Sequence, residues 1–322
     1  MEYITHALSD FFALLIGLTG IAPEGKIGLT LTYFFVDTIK IFFLLFFMIS
    51  FIGVLRTYVS KEAMEKYLGS KNKFVSSFFA AMFAIFTPFC SCSSIPIFIS
   101  LVRMRVPFSA TICFLAVSPL VNEYLVGILP SYFGFKIAGA YVIGGIAVGM
   151  LGGWVLEKLK MEKHIVSEMA GADVDMQNFS SFKERFKFGI AEGTDIVKKL
   201  WIWILISVAI GAGIKNYVPD ELILKVMNIG GIFSVPLISL IGVPLYANCA
   251  AVVPMAIVFF SKTVPIGTTI AFLMSMSALS LPEAVLLRKV MDIKLIAAFF
   301  LMVYLGIVIL GYFLNFVGPY LM

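Results

Sequence analysis

Long stretches without a charged side chain recur along the whole chain and restrict its environment. They lie at 11–23, 41–55, 74–102, 106–122, 137–156, 200–214, 226–261, 263–282 and 295–322. About 20 apolar residues of helix cross the ~30 Å hydrocarbon layer of a bilayer. A soluble chain of 322 residues could not bury the 61% of its residues that are hydrophobic. The sequence therefore predicts an all-α polytopic membrane protein, with the lipid bilayer as its solvent.

The charged residues lie mainly between the apolar runs. Lysines and arginines number 24 against 19 acidic residues, an excess that is typical of topology-setting loops and does not indicate nucleic-acid binding. No G-x-x-x-x-G-K-[ST] motif is present, so nucleotide hydrolysis is not expected. The two histidines, His6 and His164, have no metal-ligand spacing. We therefore expect no cofactor, no metal site and no enzymatic activity.

The chain repeats itself once. "YVSKEAMEKYLG" at Tyr58 matches "YVPDELILKVMN" at Tyr217, and "PFSATICFL" at Pro107 matches "PIGTTIAFL" at Pro265. The matched positions lie 158 to 160 residues apart, which predicts two homologous halves. We expect an N-terminal membrane or interfacial helix at 1–33, a first transmembrane repeat at 34–156, a polar cytoplasmic linker at 157–190 and a second repeat at 191–322.

The apolar run 74–102 is interrupted by "TPFCSCSSIP". As one straight helix its 29 residues would extend ~43 Å, more than one crossing requires. We predict a re-entrant hairpin of two half-helices broken near Pro88, with the basic loops on either side of it facing the cytoplasm. Three crossings and one hairpin in each half give an inverted repeat. If the hairpins instead cross fully, the repeat is parallel.

The broken segments are the predicted substrate site. Irregular backbone at membrane depth lines a cavity or is buried in protein, and broken helices of two repeats meet near the midplane in many secondary transporters. "VPLYANCAAVVP" at 243–254 is the counterpart of "TPFCSCSSIP" in the second half. The predicted substrate-binding residues are Cys90, Ser91, Cys92, Ser93, Asn248 and Cys249. Thiolates prefer soft, thiophilic ligands; alternatively, these small residues serve only close helix packing.

Carboxylates form a second group of candidates. "SPLVNE" at 118–123 and "SALSLPE" at 277–283 repeat a pattern of Ser, Pro and Glu. Ionisable groups inside membrane segments are costly and commonly functional. We predict that Glu123 with Asn122, and Glu283, couple transport to an ion. The alternative is that both carboxylates are hydrated near the interface.

Two further features predict packing. Cys113 has Ala271 as its counterpart and is expected to be a small buried side chain. Gly145, Gly149 and Gly153 recur at four-residue intervals, which is typical of a face where helices approach closely.

At "TPFCSCSSIP", "VPFSATICFLAVSPLVNE" and "GVPLYANCAAVVP" the sequence resembles the predicted permease family (DUF318/UPF0718) that includes the ArsP-type organoarsenical efflux permeases. The resemblance extends over nearly the whole chain outside the linker. It implies export of trivalent organoarsenicals such as methylarsenite, with the paired cysteines of the family falling on Cys90 and Cys92. A role for Cys249 follows from the repeat alone.

These observations predict a secondary-active permease of the cell inner membrane that exports a small thiophilic solute by alternating access. A first alternative keeps this class and changes the cargo to a soft metal ion or a sulfur-containing anion. A second is a membrane thiol oxidoreductase that uses Cys90 and Cys92. A homo-oligomer is compatible with the sequence.

Overall fold

The computed structural model describes residues 2–18, 25–57, 72–86, 91–103, 106–166, 181–217, 233–243, 264–280, 283–284, 287–288 and 290–321. Within these ranges the regular elements are helices, and the only β pairing is an isolated bridge between Ile165 and Met291. The helices are α1 (Glu2–Leu18), α2 (Lys26–Arg56), α3 (Lys73–Phe86), α4 (Ser91–Arg103), α5 (Phe108–Leu120), α6 (Glu123–Phe133), α7 (Phe135–Lys158), α8 (Phe182–Tyr217), α9 (Ser234–Gly242), α10 (Ile266–Ala278) and α11 (Ile293–Leu321), with a 3-10 helix at Met161–His164.

Two helices of the described ranges, α7 and α11, are long and apolar enough to cross a membrane. A third span results if α5 and the part of α6 from Leu125 onward, which are bent by 55° at their junction, form one broken span. The prediction of an all-α polytopic membrane protein is confirmed. The apolar surface on α11, where Ile309 and Phe316 are 68% and 74% exposed, is what a lipid-facing helix requires.

The chain forms two compact units, and each unit takes helices from both halves of the sequence repeat. The first unit consists of Met1–Tyr58 and Asn178–Ile223. In it α2 packs along α8 in the opposite direction, since Gly189 faces Val54 whereas the later residue Gly193 faces the earlier Phe46. The helix α1 packs on α2.

The second unit, Val59–Gln177 and Leu224–Met322, is built around α5 and α10. Both helices have 13 residues, follow a proline (Pro107 and Pro265) in extended conformation, and are buried over nearly their whole length. They occupy equivalent positions of the repeat, 158 residues apart, and they contact one another. The helix α5 packs against α3, α4 and α7, and α10 packs against α9 and α11, so the repeat in sequence is also a repeat in structure.

The two long apolar helices of this unit run in opposite directions along one another. Leu310 lies against Gly144, and Met302 lies against Gly152. Between these contacts Val148 faces Gly306, which is its own counterpart 158 residues later. The equivalent helices α7 and α11 therefore cross at equivalent points.

The glycine face of α7 packs on α5, as its four-residue spacing predicts. Gly145 lies against Val121, Gly149 lies against Val117, and Gly153 lies against the backbone carbonyl of Ser109. Contact this close is what the absence of a side chain permits.

The Cys113 side chain is buried as predicted. It is completely shielded from solvent, and its Sγ donates to the carbonyl oxygen of Ser77 at 3.4 Å. These contacts fit a packing role.

The predicted linker at 157–190 contains structure at both ends. Beyond the 3-10 helix, the amide of Val166 donates to the carbonyl of Val290, and the amide of Asp292 donates to the carbonyl of His164. At the other end α8 begins at Phe182, inside the predicted linker. Composition could not reveal this, because the backbone partners at 290–292 are distant in sequence.

Replacing Gly153 by alanine should destabilise the second unit. The new Cβ would overlap the Ser109 carbonyl, which is backbone and cannot rotate away, so we expect the free energy of unfolding to fall by about 1–3 kcal/mol. The measurement is thermal unfolding of the purified protein in detergent. Gly139→Ala is the matched control on the same helix, because no atom lies within 4 Å of its added Cβ. Equal melting temperatures for the two variants would contradict the packing account.

Candidate functional site

The predicted break in the run 74–102 lies at residues 87–90, outside the described residues. The helix α3 ends at Phe86 after 14 residues, and α4 begins at Ser91 and has 13. Each is about 20 Å long, which is short of the ~30 Å hydrocarbon layer. Both helices pack on α5. The described parts of the segment are thus two helices that are each shorter than one crossing, and the break between them stays a prediction.

The thiol candidates lie partly outside the described residues. Residues 87–90 and 244–263 are not described, so Cys90, Asn248 and Cys249 fall outside the structure. The backbone of Ser91, Cys92 and Ser93 forms the first turn of α4. Their substrate-binding role stays a prediction.

A second pair of helix breaks lies where the carboxylates are. The helix α5 ends at Leu120, and α6 begins at Glu123. In the other half α10 ends at Ala278, and Glu283 lies in the next described helical residues, 283–284. Composition does not indicate the first break of this pair, between α5 and α6, because 106–122 is one uninterrupted apolar run. Each candidate carboxylate therefore follows the end of a central buried helix.

Both breaks place polar side chains inside apolar surroundings. Glu283 is completely buried, Asn122 is 3% exposed, and Glu123 is half-buried. The buried hydroxyls of Ser118 and Ser280 have no hydrogen-bond partner among the described residues. A carboxylate is costly to bury and is usually retained for function. The burial argues against a hydrated interfacial position for Glu283, and its ion-coupling role stays a prediction.

The Tyr141 hydroxyl forms hydrogen bonds with two backbone groups at the first break, between α5 and α6. Its hydroxyl accepts a hydrogen bond from the amide of Asn122 at 2.8 Å and donates to the carbonyl of Leu120 at 2.7 Å. Tyr141 belongs to α7 and is completely buried. Helix ends leave such groups unpaired, and lipid offers them no water. Sequence reasoning missed this residue; the signal was a lone tyrosine in an apolar span.

The second half lacks this tyrosine. The equivalent position on α11 is Phe299, which is also buried. The hydroxyl that bridges the first break therefore has no counterpart in the second. The two breaks differ chemically although the helices around them repeat.

The starts of α5 and α10 are capped from the neighbouring long helix. The Oδ1 of Asn315 accepts hydrogen bonds from the amide of Gly267 at 2.8 Å and from the amide of Thr268 at 3.2 Å. Its counterpart Glu157 lies near Ser109, the residue equivalent to Gly267, and accepts a hydrogen bond from Lys73 Nζ at 2.7 Å. The two side chains occupy equivalent positions, but the one near the start of α5 is part of an ion pair and the one at the start of α10 is a neutral amide.

Comparison with known proteins identifies the family. A profile described as a predicted permease, ArsP_1, matches residues 26–316. The chain belongs to this permease family. The UPF0718 protein YcgR of Bacillus subtilis is 22% identical over 262 residues, which are 80% of this chain and 87% of that protein.

A second relative, from Streptococcus mutans, is named as a candidate two-component membrane permease complex subunit. It is 24% identical over 183 residues, which are 54% of this chain. The match spans only 58% of the length of that relative. No solved structure matches the chain. The permease family membership agrees with the polytopic all-α fold.

Replacing Tyr141 by phenylalanine should destabilise the first break. The amide of Asn122 and the carbonyl of Leu120 would lose their partner in a buried region, which costs about 1–3 kcal/mol for an unsatisfied group. Thermal unfolding in detergent is the measurement, and Tyr320→Phe is the control because that side chain is 80% exposed. An unchanged melting temperature for Tyr141→Phe would show that the hydroxyl does not hold the break.

Proposed function

We propose that the chain is a secondary-active permease of the cell inner membrane that exports a small thiophilic solute by alternating access. The foremost candidate for the solute is a trivalent organoarsenical. The observation that carries the proposal is the duplicated central helix, α5 and α10, each followed after its end by a buried or half-buried carboxylate. Paired broken elements of this kind are the construction of many secondary transporters.

An inverted arrangement of the two halves is supported by the direction of equivalent helices. Within the first unit α2 runs opposite to its counterpart α8, and within the second unit α7 runs opposite to α11. A parallel repeat would orient equivalent helices alike. The short α3 and α4 support the re-entrant hairpin, which leaves an odd number of crossings in each half.

The proposed substrate contacts are Cys90 and Cys92 with Ser91 and Ser93, joined by Asn248 and Cys249 of the other half. A methylated trivalent arsenic with two hydroxyl groups can form two As–S bonds. Each thiol proton leaves with one hydroxide as water, and hydrolysis reverses the reaction on release. The arsenic stays trivalent throughout, so the cycle requires no oxidant. Soft sulfur ligands favour such a centre over hard cations.

The thiol requirement can be tested by uptake of methylarsenite into everted membrane vesicles. Cys90→Ser combined with Cys92→Ser should abolish uptake, and Cys249→Ser should weaken it, because a serine hydroxyl is a hard and poor ligand for arsenic. Cys113→Ala is the matched control. That thiol is buried and donates to the carbonyl of Ser77, and the second half already has Ala271 at the equivalent place.

Full uptake by the double serine variant would contradict the thiol site. No uptake by a correctly inserted native protein would redirect the search to soft metal ions and sulfur-containing anions. Thiol-dependent turnover of an electron acceptor without any solute movement would favour the oxidoreductase.

Proton coupling through the carboxylates makes a separate prediction. Glu283→Gln should remove the dependence of uptake on a proton gradient, and Glu123→Gln should reduce it, because an amide cannot release a proton. Glu162→Gln is the control, since Glu162 is exposed and far from both breaks in sequence. The measurement is initial uptake in vesicles with and without an imposed gradient. If neither variant changes the ratio of these two rates, the carboxylates do not couple transport.

A further inference from the structure

A basic cleft lies at one end of the second unit, apart from the helix breaks. Its volume is about 950 Å³, and it is formed by the start of α3, the end of α7 and the following 3-10 helix. The side chains that matter for its chemistry are Lys73, Phe74, Trp154, Lys158, Lys160 and Lys163. This cleft has no part in the transport cycle proposed above.

Three of the four lysines are available to a ligand. Lys73 is paired with Glu157 at 2.7 Å. Lys158, Lys160 and Lys163 are exposed and have no ion-pair partner among the described residues. The remaining carboxylate of the cleft is Glu162. The excess of positive charge suits an anion with several oxygen atoms.

The backbone at Lys160 is held in an unusual conformation. Its φ of 54° lies in the left-handed region, and among the described residues it is the only non-glycine residue with a positive φ. Glycine or asparagine adopts this region more readily than lysine does. Outliers of this kind are concentrated at functional sites. Lysine occupies a turn position that glycine would fit with less strain, and it brings a charge to the cleft.

The aromatic side of the cleft indicates the depth at which it lies. The rings of Phe74 and Trp154 are 5.9 Å apart, and both side chains are partly exposed. Trp154 is near the polar end of the span α7. Tryptophan at the end of a span is typical of the membrane–water interface. A ligand at this depth can offer an anionic head to the lysines and apolar chains to the rings.

We infer that this cleft binds the phosphate of an anionic phospholipid headgroup. Lys158, Lys160 and Lys163 contact the phosphate oxygens, while Phe74 and Trp154 pack against the glycerol and the first methylenes of the acyl chains. Basic pockets beside membrane helices recognise such headgroups. The phosphate chemistry is shared with free phosphate, from which the acyl chains distinguish a lipid.

The test uses the full chain in a non-ionic detergent and native mass spectrometry to count bound lipid. The probes are dioleoyl phosphatidylglycerol, dioleoyl phosphatidylcholine and inorganic phosphate. We expect the native chain to prefer phosphatidylglycerol. Each lysine removed should weaken that binding about fivefold, and the variant with Lys158→Gln, Lys160→Gly and Lys163→Gln should lose about a hundredfold.

Two variants keep the result interpretable. Lys160→Gly removes the charge and fits the left-handed turn, so the fold is retained and only binding should fall. Lys136→Gln is the control, because Lys136 is an exposed lysine at the opposite end of α7. Its binding of phosphatidylglycerol should equal that of the native chain.

The outcomes separate the sources of the phosphate and can overturn the inference. Lysine-dependent binding of phosphatidylglycerol that inorganic phosphate does not displace supports a lipid site. If inorganic phosphate displaces phosphatidylglycerol, and the binding of both depends equally on the lysines, the result supports a phosphate site that a free anion also fills. Equal binding of the two lipids, or unchanged binding by the triple variant, overturns the inference.

Discussion

Every backbone N–H and C=O at membrane depth needs a partner inside the protein, because lipid supplies none. Continuous helices meet this requirement by themselves, and each helix end breaks it. Here the ends of the central helices are bonded from the long helices beside them. Tyr141 pairs with the amide and the carbonyl on either side of the first break, and Asn315 caps the start of α10. The broken core therefore depends on hydrogen bonds from α7 and α11.

The close approach that these hydrogen bonds require is provided by small residues. Gly153 lies against the backbone of Ser109, and the equivalent Gly311 lies against Gly267. With larger side chains the long helix would stand further from the central one, and a capping side chain would not reach its partner. Close helix packing and the hydrogen bonding of exposed backbone groups therefore depend on each other. The same glycine contact occurs in both halves, 158 residues apart.

The repeat is regular in its backbone and asymmetric in its chemistry. Tyr141 corresponds to Phe299, and the ion pair of Glu157 with Lys73 corresponds to the neutral Asn315. In the sequence, the two thiols of Cys90 and Cys92 correspond to the single Cys249. A transporter that releases its cargo on one side benefits from halves that do not bind it equally. The charged cap and the basic cleft lie at the same end of the second unit, so that end differs in charge from the end capped by Asn315.

The sequence by itself determined the helical membrane class, the repeat and the glycine face of α7. These are periodic or compositional signals, because burial in lipid and close packing act on every residue along a helix. Only the tertiary structure decided the break between α5 and α6, the roles of Tyr141 and Asn315, the direction of α7 against α11 and the mixing of halves within each compact unit. Such features arise from partners far apart in sequence, and a single tyrosine or asparagine in an apolar run does not specify which distant backbone it will meet.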